Sequence, residues 1–341
     1  MSRGSPLADP DVMALFACAG APRCALVAVS GGPDSMALLH LAARWREGGG
    51  PEIHAATVDH DLRPDSRAEA QAVARWAAAL KVPHSILTWT GDRPKARLQE
   101  LARAARYRLL GDLAAEIGAE AILTGHHADD QAETILFRLL RGSGVAGLAA
   151  MSRVSPRGGY RLVRPLLDLP KADLVAFCEG AGQAFFQDPS NRDPRFARTQ
   201  LKRVLALLGA EGLGRDELLR LGRRAARADD GLRAWVAGLR ASLAPLVEEG
   251  RFDCAAEALR NLPLEALLRL LEAEIARIGG SAPRLDRLES LAAYVEGAIA
   301  GGGAFRGSLA GTLVSVTASG RLLVVKAPPR RPKASEQPLE G

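Results

Sequence analysis

Residues Cys24-Ala25-Leu26-Val27-Ala28-Val29 run directly into Ser30-Gly31-Gly32-Pro33-Asp34-Ser35, and this junction decides the fold. The valine-rich apolar run predicts a buried strand. Met36, Leu38, Leu39 and Leu41 predict a helix from about Asp34 to Trp45. Strand, glycine turn and helix start together form an anion site. Glycine lets the backbone approach a ligand, and the helix start presents N–H groups and a positive dipole end. Ser30 and Ser35 add hydroxyl donors. Asp34 is out of place beside an anion unless it holds a magnesium ion that bridges phosphates. The Gly-Lys-Ser/Thr ending of a Walker loop is absent, and so is the Gly-x-Gly-x-x-Gly of dinucleotide sites.

Outward from this junction, 341 residues suffice for two domains. The composition, 48% hydrophobic and 25% charged, is that of a soluble globular protein. Aromatics are only 4%, so the core rests on Leu, Val and Ala. The net charge of +6 mildly favours a polyanionic partner. Cys18, Cys24, Cys178 and Cys254 are scattered with no C-x-x-C pair, which argues against zinc, iron–sulfur or dithiol chemistry. Such sparse usage suits a reducing cytoplasm. The N-terminus lacks a signal-peptide core and no apolar run is long enough for a bilayer, so a cytoplasmic protein without membrane partners is expected.

Further along, Ile53–Val58 predicts a second strand ending in Asp59-His60-Asp61-Leu62-Arg63. Carboxyl ends of parallel strands line the ligand crevice, so these polar residues are candidates for function. Asp59 and Asp61 can also be read as caps of the helix from about Ser66 to Lys81. Ser85–Trp89 predicts a third strand, and a long helix follows from about Lys95 to Ile117. A fourth strand, Ala121–Thr124, runs into Gly125-His126-His127-Ala128-Asp129-Asp130-Gln131-Ala132-Glu133-Thr134. Helix capping, with Asp130 as N-cap and Glu133 three residues on, explains the acids but not the two histidines. Nucleotide or magnesium contact is preferred to a transition-metal site. Arg161–Leu167 predicts a last strand of this sheet, and Lys171–Glu179 a short helix. The whole is α/β, a doubly wound and mainly parallel sheet.

Basic residues then accumulate: Arg192, Arg195, Arg198, Lys202 and Arg203, followed by Arg220, Arg223, Arg224 and Arg227 on one helical face. Two such stripes in succession point to phosphate-backbone binding. From about Leu232 the chain becomes amphipathic helix, closing with the strand pair Gly311–Thr317 and Arg321–Lys326 around an Ala-Ser-Gly turn. The expected domains are 1–213, carrying the loop; 214–327, smaller, mostly helical and ending in a β-hairpin; and 328–341, a disordered tail.

Three separated motifs, Ser30–Ser35, Val58–Arg63 and Gly125–Thr134 running on to Arg138–Gly144, resemble in their order the tRNA(Ile)-lysidine synthetase family of the N-type ATP pyrophosphatases (the PP-loop superfamily, whose fold is adenine nucleotide α-hydrolase-like). Arg164-Pro165-Leu166-Leu167 and Asp188-Pro189-Ser190-Asn191 extend the likeness, which is strong over roughly residues 24–203. It implies a ligase that uses ATP and Mg2+ to adenylate the wobble cytidine, position 34, of the CAU-anticodon isoleucine tRNA. Free L-lysine then joins carbon 2, with release of AMP and pyrophosphate. On this likeness Asp34 and Asp130 are catalytic and hold the metal through the ATP phosphates. ATP contacts fall to Ser30, Gly31, Gly32, Pro33, Asp34, Ser35, Val58, His60, Arg63, Gly125 and His126. Arg106 and Glu133 bind lysine, and the two basic stripes grip tRNA. A homodimer is left open. Where the family shows an Arg-Asn pair, this chain has Arg198-Thr199-Gln200-Leu201-Lys202-Arg203. Longer members carry a further C-terminal domain that this chain is expected to lack. The rival readings are a tRNA thiolase of the same superfamily, disfavoured by the missing C-x-x-C, and a non-catalytic tRNA-binding protein, disfavoured by the full set of motif acids.

Overall fold

A computed structural model describes residues 9–60, 65–90, 98–187, 197–243, 246–248 and 250–328. The chain divides into two compact units, Met1–Ala226 and Arg227–Gly341. The division falls later than the boundary at 213/214 read from composition, inside the helix Arg215–Ser242. From residue 329 onward the expected tail lies outside the described residues.

The first unit is built on a six-stranded sheet. In chain order its strands are β1 (Cys24–Ala28), β2 (Glu52–Asp59), β3 (His84–Thr88), β4 (Ala121–Thr124), β5 (Val154–Arg157) and β6 (Tyr160–Val163). They lie side by side as β3-β2-β1-β4-β6-β5, all parallel but for the edge strand β5. The helices are α1 (Asp9–Phe16), α2 (Pro33–Glu47), α3 (Ser66–Ala79), α4 (Leu98–Glu116), α5 (Ala128–Leu139), α6 (Val145–Leu148), α7 (Lys171–Gly180), α8 (Ala197–Ala210) and α9 (Arg215–Ser242).

Strand alternation sorts the core into two layers. Ala25 and Val27 of β1 point into a cluster with Phe16, Leu38, Leu39 and Leu41, beside Val73 of α3 and Leu174 of α7. Leu26 points the other way, into Tyr107, Leu110 and Leu113 of α4. Both faces are covered, as the apolar run of β1 requires. The chain adds β2 and β3 on one side of β1 and β4 on the other, so the strand order reverses between β1 and β4. Ala28 is in register with Thr124. The segments leaving these two strands therefore emerge together at the carboxyl edge, where such sheets bind ligands.

The expected final strand over Arg161–Leu167 stops at Val163, since Pro165 has no N–H to pair. Its antiparallel partner β5, joined through Gly158-Gly159, has the run Val-Ser-Pro-Arg and carries no strand signal. On β2 and β3, Thr57 Oγ1 meets His84 Nε2 and His54 Nε2 meets Ser85 Oγ, each at 2.9 Å. Burial first, then repulsion from His54, holds the His84 imidazole down at about 4. An unfolded chain titrates this group near 6.5, so between those values it binds more protons than the folded one. Stability from His84 is thus complete above about pH 6.5 and lost as pH falls through about 4. Chemical denaturation over that range is expected to show the decline, and His84→Gln to flatten it.

The second unit pairs α10 (Leu264–Gly279) and α11 (Leu285–Gly301) with a five-stranded antiparallel sheet. Its strands are β7 (Leu246–Glu248), β8 (Arg251–Ala255), β9 (Phe305–Leu309), β10 (Thr312–Val316) and β11 (Arg321–Lys326), ordered β7-β8-β11-β10-β9. The expected hairpin is β10–β11, with Thr312 opposite Lys326. It extends to five strands as β9 pairs with β10 and β8 with β11, and Asp253, buried in β8, is held by Arg251 at 2.8 Å and Arg321 at 2.7 Å. Leu267, Leu270 and Ile275 of α10 close on Phe252, Val314 and Val324. Among the described residues no helix is long and apolar enough to cross a membrane.

Candidate active site

The loop after β1 is held by its own serines. The Ser30 N–H donates to Ser35 Oγ at 3.1 Å, the two hydroxyl oxygens lie 3.2 Å apart, and Ser35 Oγ donates to the Gly32 carbonyl at 3.0 Å. Ser35 therefore shapes the loop as well as lining the cavity. Gly31 takes φ +85°, and a Cβ there would lie 2.8 Å from the Phe186 ring, whose backbone N–H donates to the Gly31 carbonyl. Gly32 caps α2 and Pro33 opens it, leaving the N-terminal dipole end at the carboxyl edge of the sheet.

Gly125, leaving β4, passes directly against this loop. A Cβ on it would lie 2.9 Å from the Asp34 carbonyl oxygen and 3.2 Å from the Ser35 nitrogen. Next, His126 Nδ1 meets Thr124 Oγ1 at 2.9 Å. The N-cap of α5 is His127, not Asp130. The His127 ring accepts from the Asp130 N–H at 3.4 Å, and Asp130 Oδ2 accepts from the His127 N–H at 3.1 Å. The capping box sits one turn earlier than the acids alone suggest, and Glu133 becomes a buried residue of the cavity wall. Because Nδ1 accepts, Nε2 is the proton-bearing nitrogen of the ring. That nitrogen lies 3.5 Å from Asp34 Oδ2 and 3.4 Å from Asp130 Oδ2, so one imidazole stands between the two expected catalytic acids.

Lys171, the first residue of α7, places Nζ 3.1 Å from Asp34 Oδ2. Asp129 Oδ2 accepts from the Lys171 N–H at 2.8 Å, and Arg215 Nη1 is 3.7 Å from the other Asp129 oxygen. Burial alone would raise the Asp34 carboxyl. Hydrogen bonding and charge from His127 and Lys171 outweigh it and leave the acid below its ordinary range. Asp34 Oδ1, in contrast, is buried with no hydrogen-bond partner.

These groups surround one cavity of about 640 Å³. Ser30, Asp34, Ser35, Val58, Arg106, Gly125, His126, Asp130, Glu133 and Lys202, all singled out in the sequence, line it. Val29, Ala56, Val58 and Leu110 give it an apolar side, and the acids and cations a polar one. Lys202 Nζ lies 4.0 Å from Glu133 Oε1, so this lysine belongs to the cavity. Gly31, Gly32 and Pro33 act by shaping the loop. His60 stands one contact back, with Nε2 3.5 Å from Arg106 Nη2 and its ring edge-on to Trp89. Arg203, Arg220, Arg223, Arg224 and Arg227 are exposed. Arg63, Arg192, Arg195 and the Arg198 side chain lie outside the described residues. Lys171, Arg215, Asp129 and Tyr107 also line the cavity and were not expected from the sequence.

Among the described residues no group of three or more His, Cys, Asp or Glu side chains is arranged to hold a metal alone. Two carboxylates beside a phosphate-binding loop, one with an orphaned buried oxygen, do fit magnesium that arrives on a nucleotide, since that ion keeps phosphate and water ligands. The cysteines do not fit sulfur transfer. None lines the cavity, and burial pushes the Cys178 and Cys254 thiols up to about 11.

A nucleotide loop and a pair of acids at the switch point of a parallel sheet define an ATP-using enzyme of the PP-loop class, and residues 11–208 match the PP-loop domain family. The chain is 47% identical over 327 residues to a tRNA(Ile)-lysidine synthase of Rhodopseudomonas palustris, covering 93% of this chain and 94% of that one. It is 49% identical over 320 residues to the tRNA(Ile)-lysidine synthase of Methylobacterium nodulans, covering 92% and 93%. The chain belongs to the tRNA(Ile)-lysidine synthase family, ligases that form carbon–nitrogen bonds. Among solved structures, a U34-tRNA thiolase from Methanococcus maripaludis with a [4Fe-4S] cluster shares the fold, with TM-score 0.54 and 15% identity over 64% of this chain and 78% of that one.

Proposed function

We propose that the cavity adenylates the 2-carbonyl oxygen of the wobble cytidine in the CAU-anticodon isoleucine tRNA and then joins free L-lysine at carbon 2. The observation that carries this reading is the convergence of the Ser30–Ser35 loop, the Asp34–His127–Asp130 group, and Arg106 with Glu133 on a single cavity. The base oxygen attacks the α-phosphate of ATP and pyrophosphate leaves. The ε-amine of lysine then attacks carbon 2, and AMP leaves with the former carbonyl oxygen. A carbonyl oxygen is a poor leaving group, and the phosphate ester made from it is a good one.

The α2 N-terminus and the loop backbone receive the pyrophosphate. Asp34 and Asp130 would hold Mg2+ carried by ATP, which offsets phosphate charge. Glu133 receives the lysine ammonium and Arg106 its carboxylate. An alkylammonium of the chain itself, Lys202, already faces Glu133 and supports that assignment. The ε-amine must shed a proton before it attacks. The target base must leave its stack, which costs little in a single-stranded anticodon loop.

Lys171 is placed to exchange Asp34 for phosphate. Lys171→Met is expected to raise the KM for ATP about tenfold, the worth of one charge-assisted hydrogen bond. Initial-rate kinetics at varied ATP check this, and an unchanged KM removes Lys171 from ATP binding. The exposed arginines of α9 are assigned to tRNA phosphates. Replacing Arg223, Arg224 and Arg227 together by glutamine is expected to lower the salt dependence of tRNA binding by a slope of about 2–3. An equal slope assigns that stripe to solvent.

The reading is tested by incubating the chain with ATP, magnesium, labelled lysine and a CAU-anticodon isoleucine tRNA transcript, then digesting the RNA. A lysine-bearing cytidine supports it. ATP–pyrophosphate exchange without lysine transfer, or no tRNA-dependent exchange, overturns it.

A further inference from the structure

Next to the reaction cavity, and sharing Tyr107 with it, lies a second hollow of about 780 Å³ between α4 and the β5–β6 turn. Tyr107 lines both. Its ring is covered by two guanidiniums, Arg103 at 5.2 Å and Arg157 at 4.5 Å from the ring centre. Arg103 Nη2 also reaches the Tyr107 hydroxyl at 3.5 Å, and the Tyr160 hydroxyl donates to the Tyr107 carbonyl at 3.4 Å. Both arginines are exposed, and among the described residues neither has a carboxylate partner.

A third guanidinium stands behind them. Arg164 is 7% exposed, with Nη1 donating to the Ser152 carbonyl at 2.6 Å and to Ser155 Oγ at 3.0 Å, and its Nε is buried without a partner. Burial, then repulsion from Arg157 and Arg103, depresses its basicity, with Tyr107 opposing. Two exposed guanidiniums over one phenol ring, with a third buried nearby, repel one another unless an anion joins them; of the two acids that line the hollow, Asp112 pairs with Arg108 and Glu100 pairs with neither ring-covering arginine among the described residues. The hollow follows α4 from Glu100 to Ala115, about 22 Å at helical rise, which suits a chain of phosphates better than one isolated ion.

We propose that this groove binds the backbone of single-stranded RNA next to the reacting base, with a phosphodiester held between Arg103 and Arg157. This rests on the tRNA reading above and adds the place where the strand runs. A phosphate fixed beside Tyr107 positions the neighbouring base to enter the cavity that the same residue lines. Planar guanidiniums lying over the ring also offer a flanking base a surface to stack on.

The test compares the chain with the double variant Arg103→Gln/Arg157→Gln, measuring anisotropy of a labelled CAU anticodon stem-loop RNA over a range of salt. The expected result is a Kd about tenfold weaker and a log–log salt slope lower by about 0.7, one single-strand phosphate neutralised. The KM for ATP and the melting temperature stay unchanged. Lysine at both positions is expected to restore the slope but not the full affinity, since the charge returns without the planar stack. Arg75→Gln, an exposed arginine of α3 on the opposite layer of the sheet, is the charge control and is expected to change neither quantity. Unchanged binding by the folded double variant, or an equal loss in the control, overturns the groove and leaves the proposed reaction standing. Failure of the unaltered chain to bind the stem-loop overturns both.

Discussion

Asp34→Ala is expected to lower tRNA-dependent ATP–pyrophosphate exchange by about a thousandfold or more, while the anticodon stem-loop binds as before. The carboxyl sits where β1 and β4 part, with Lys171 Nζ at 3.1 Å and His127 Nε2 at 3.5 Å from one oxygen and nothing on the other. Removing it takes away the group best placed to hold the metal and leaves two cationic or proton-bearing partners facing an empty space. Asp130→Ala is expected to do the same by loosening the other acid and the His127 cap together. Asp34→Asn separates charge from shape: it keeps the side chain's volume and should be as inactive as alanine. RNA binding should survive because neither acid lies among the exposed arginines. Near-normal exchange in any of these folded variants removes the residue from adenylation.

Gly125→Ala is expected to reduce kcat/KM for ATP by about a hundredfold, the usual consequence of moving a reacting group by about 1 Å. The new methyl would meet the Asp34 carbonyl oxygen at 2.9 Å and carbon at 3.0 Å. These are backbone atoms and cannot rotate aside, so β4 or the start of α2 must shift. Gly32→Ala provides the contrast. A Cβ there meets only Ser30 Oγ, at 3.7 Å, and the backbone angles are ordinary ones. Its melting temperature should therefore match the unaltered chain, and any loss of ATP affinity reports crowding by the phosphates themselves. Gly125→Ala with full activity would show that the loop and β4 need no such close approach.

The sequence made β1, its glycine loop and the strand ends at His60 and Gly125 readable because each rests on local signals: apolar runs, turn residues and polar residues where strands finish. Asp34, Asp130 and Glu133 were legible for the same reason. Lys171 and Arg215 were not, although both leave a trace. Each opens a helix, where the dipole disfavours a cation, and each turns out to face an acid: Lys171 meets Asp34 and Arg215 meets Asp129. A basic residue at that position asks for a nearby acid, but only the fold says which. His127 as cap was hidden by the better capping chemistry of Asp130. In the second unit β8 was obscured by Asp253, an acid buried in mid-strand whose two arginines come from β8 itself and from β11. Tyr107 carries no signal of its own within the long helix read from the sequence. Its place between two hollows depends on the β5–β6 turn, which arrives some fifty residues later in the chain.

The ammonium of Lys171 gives the resting enzyme a tenant for its acidic corner. Between rounds, the carboxylate need not cling to a scarce ion or to spent product to stay settled, because an internal cation takes the vacancy. On the proposed reaction, loading would be an exchange in which the incoming ligand displaces an ammonium tethered to the same chain.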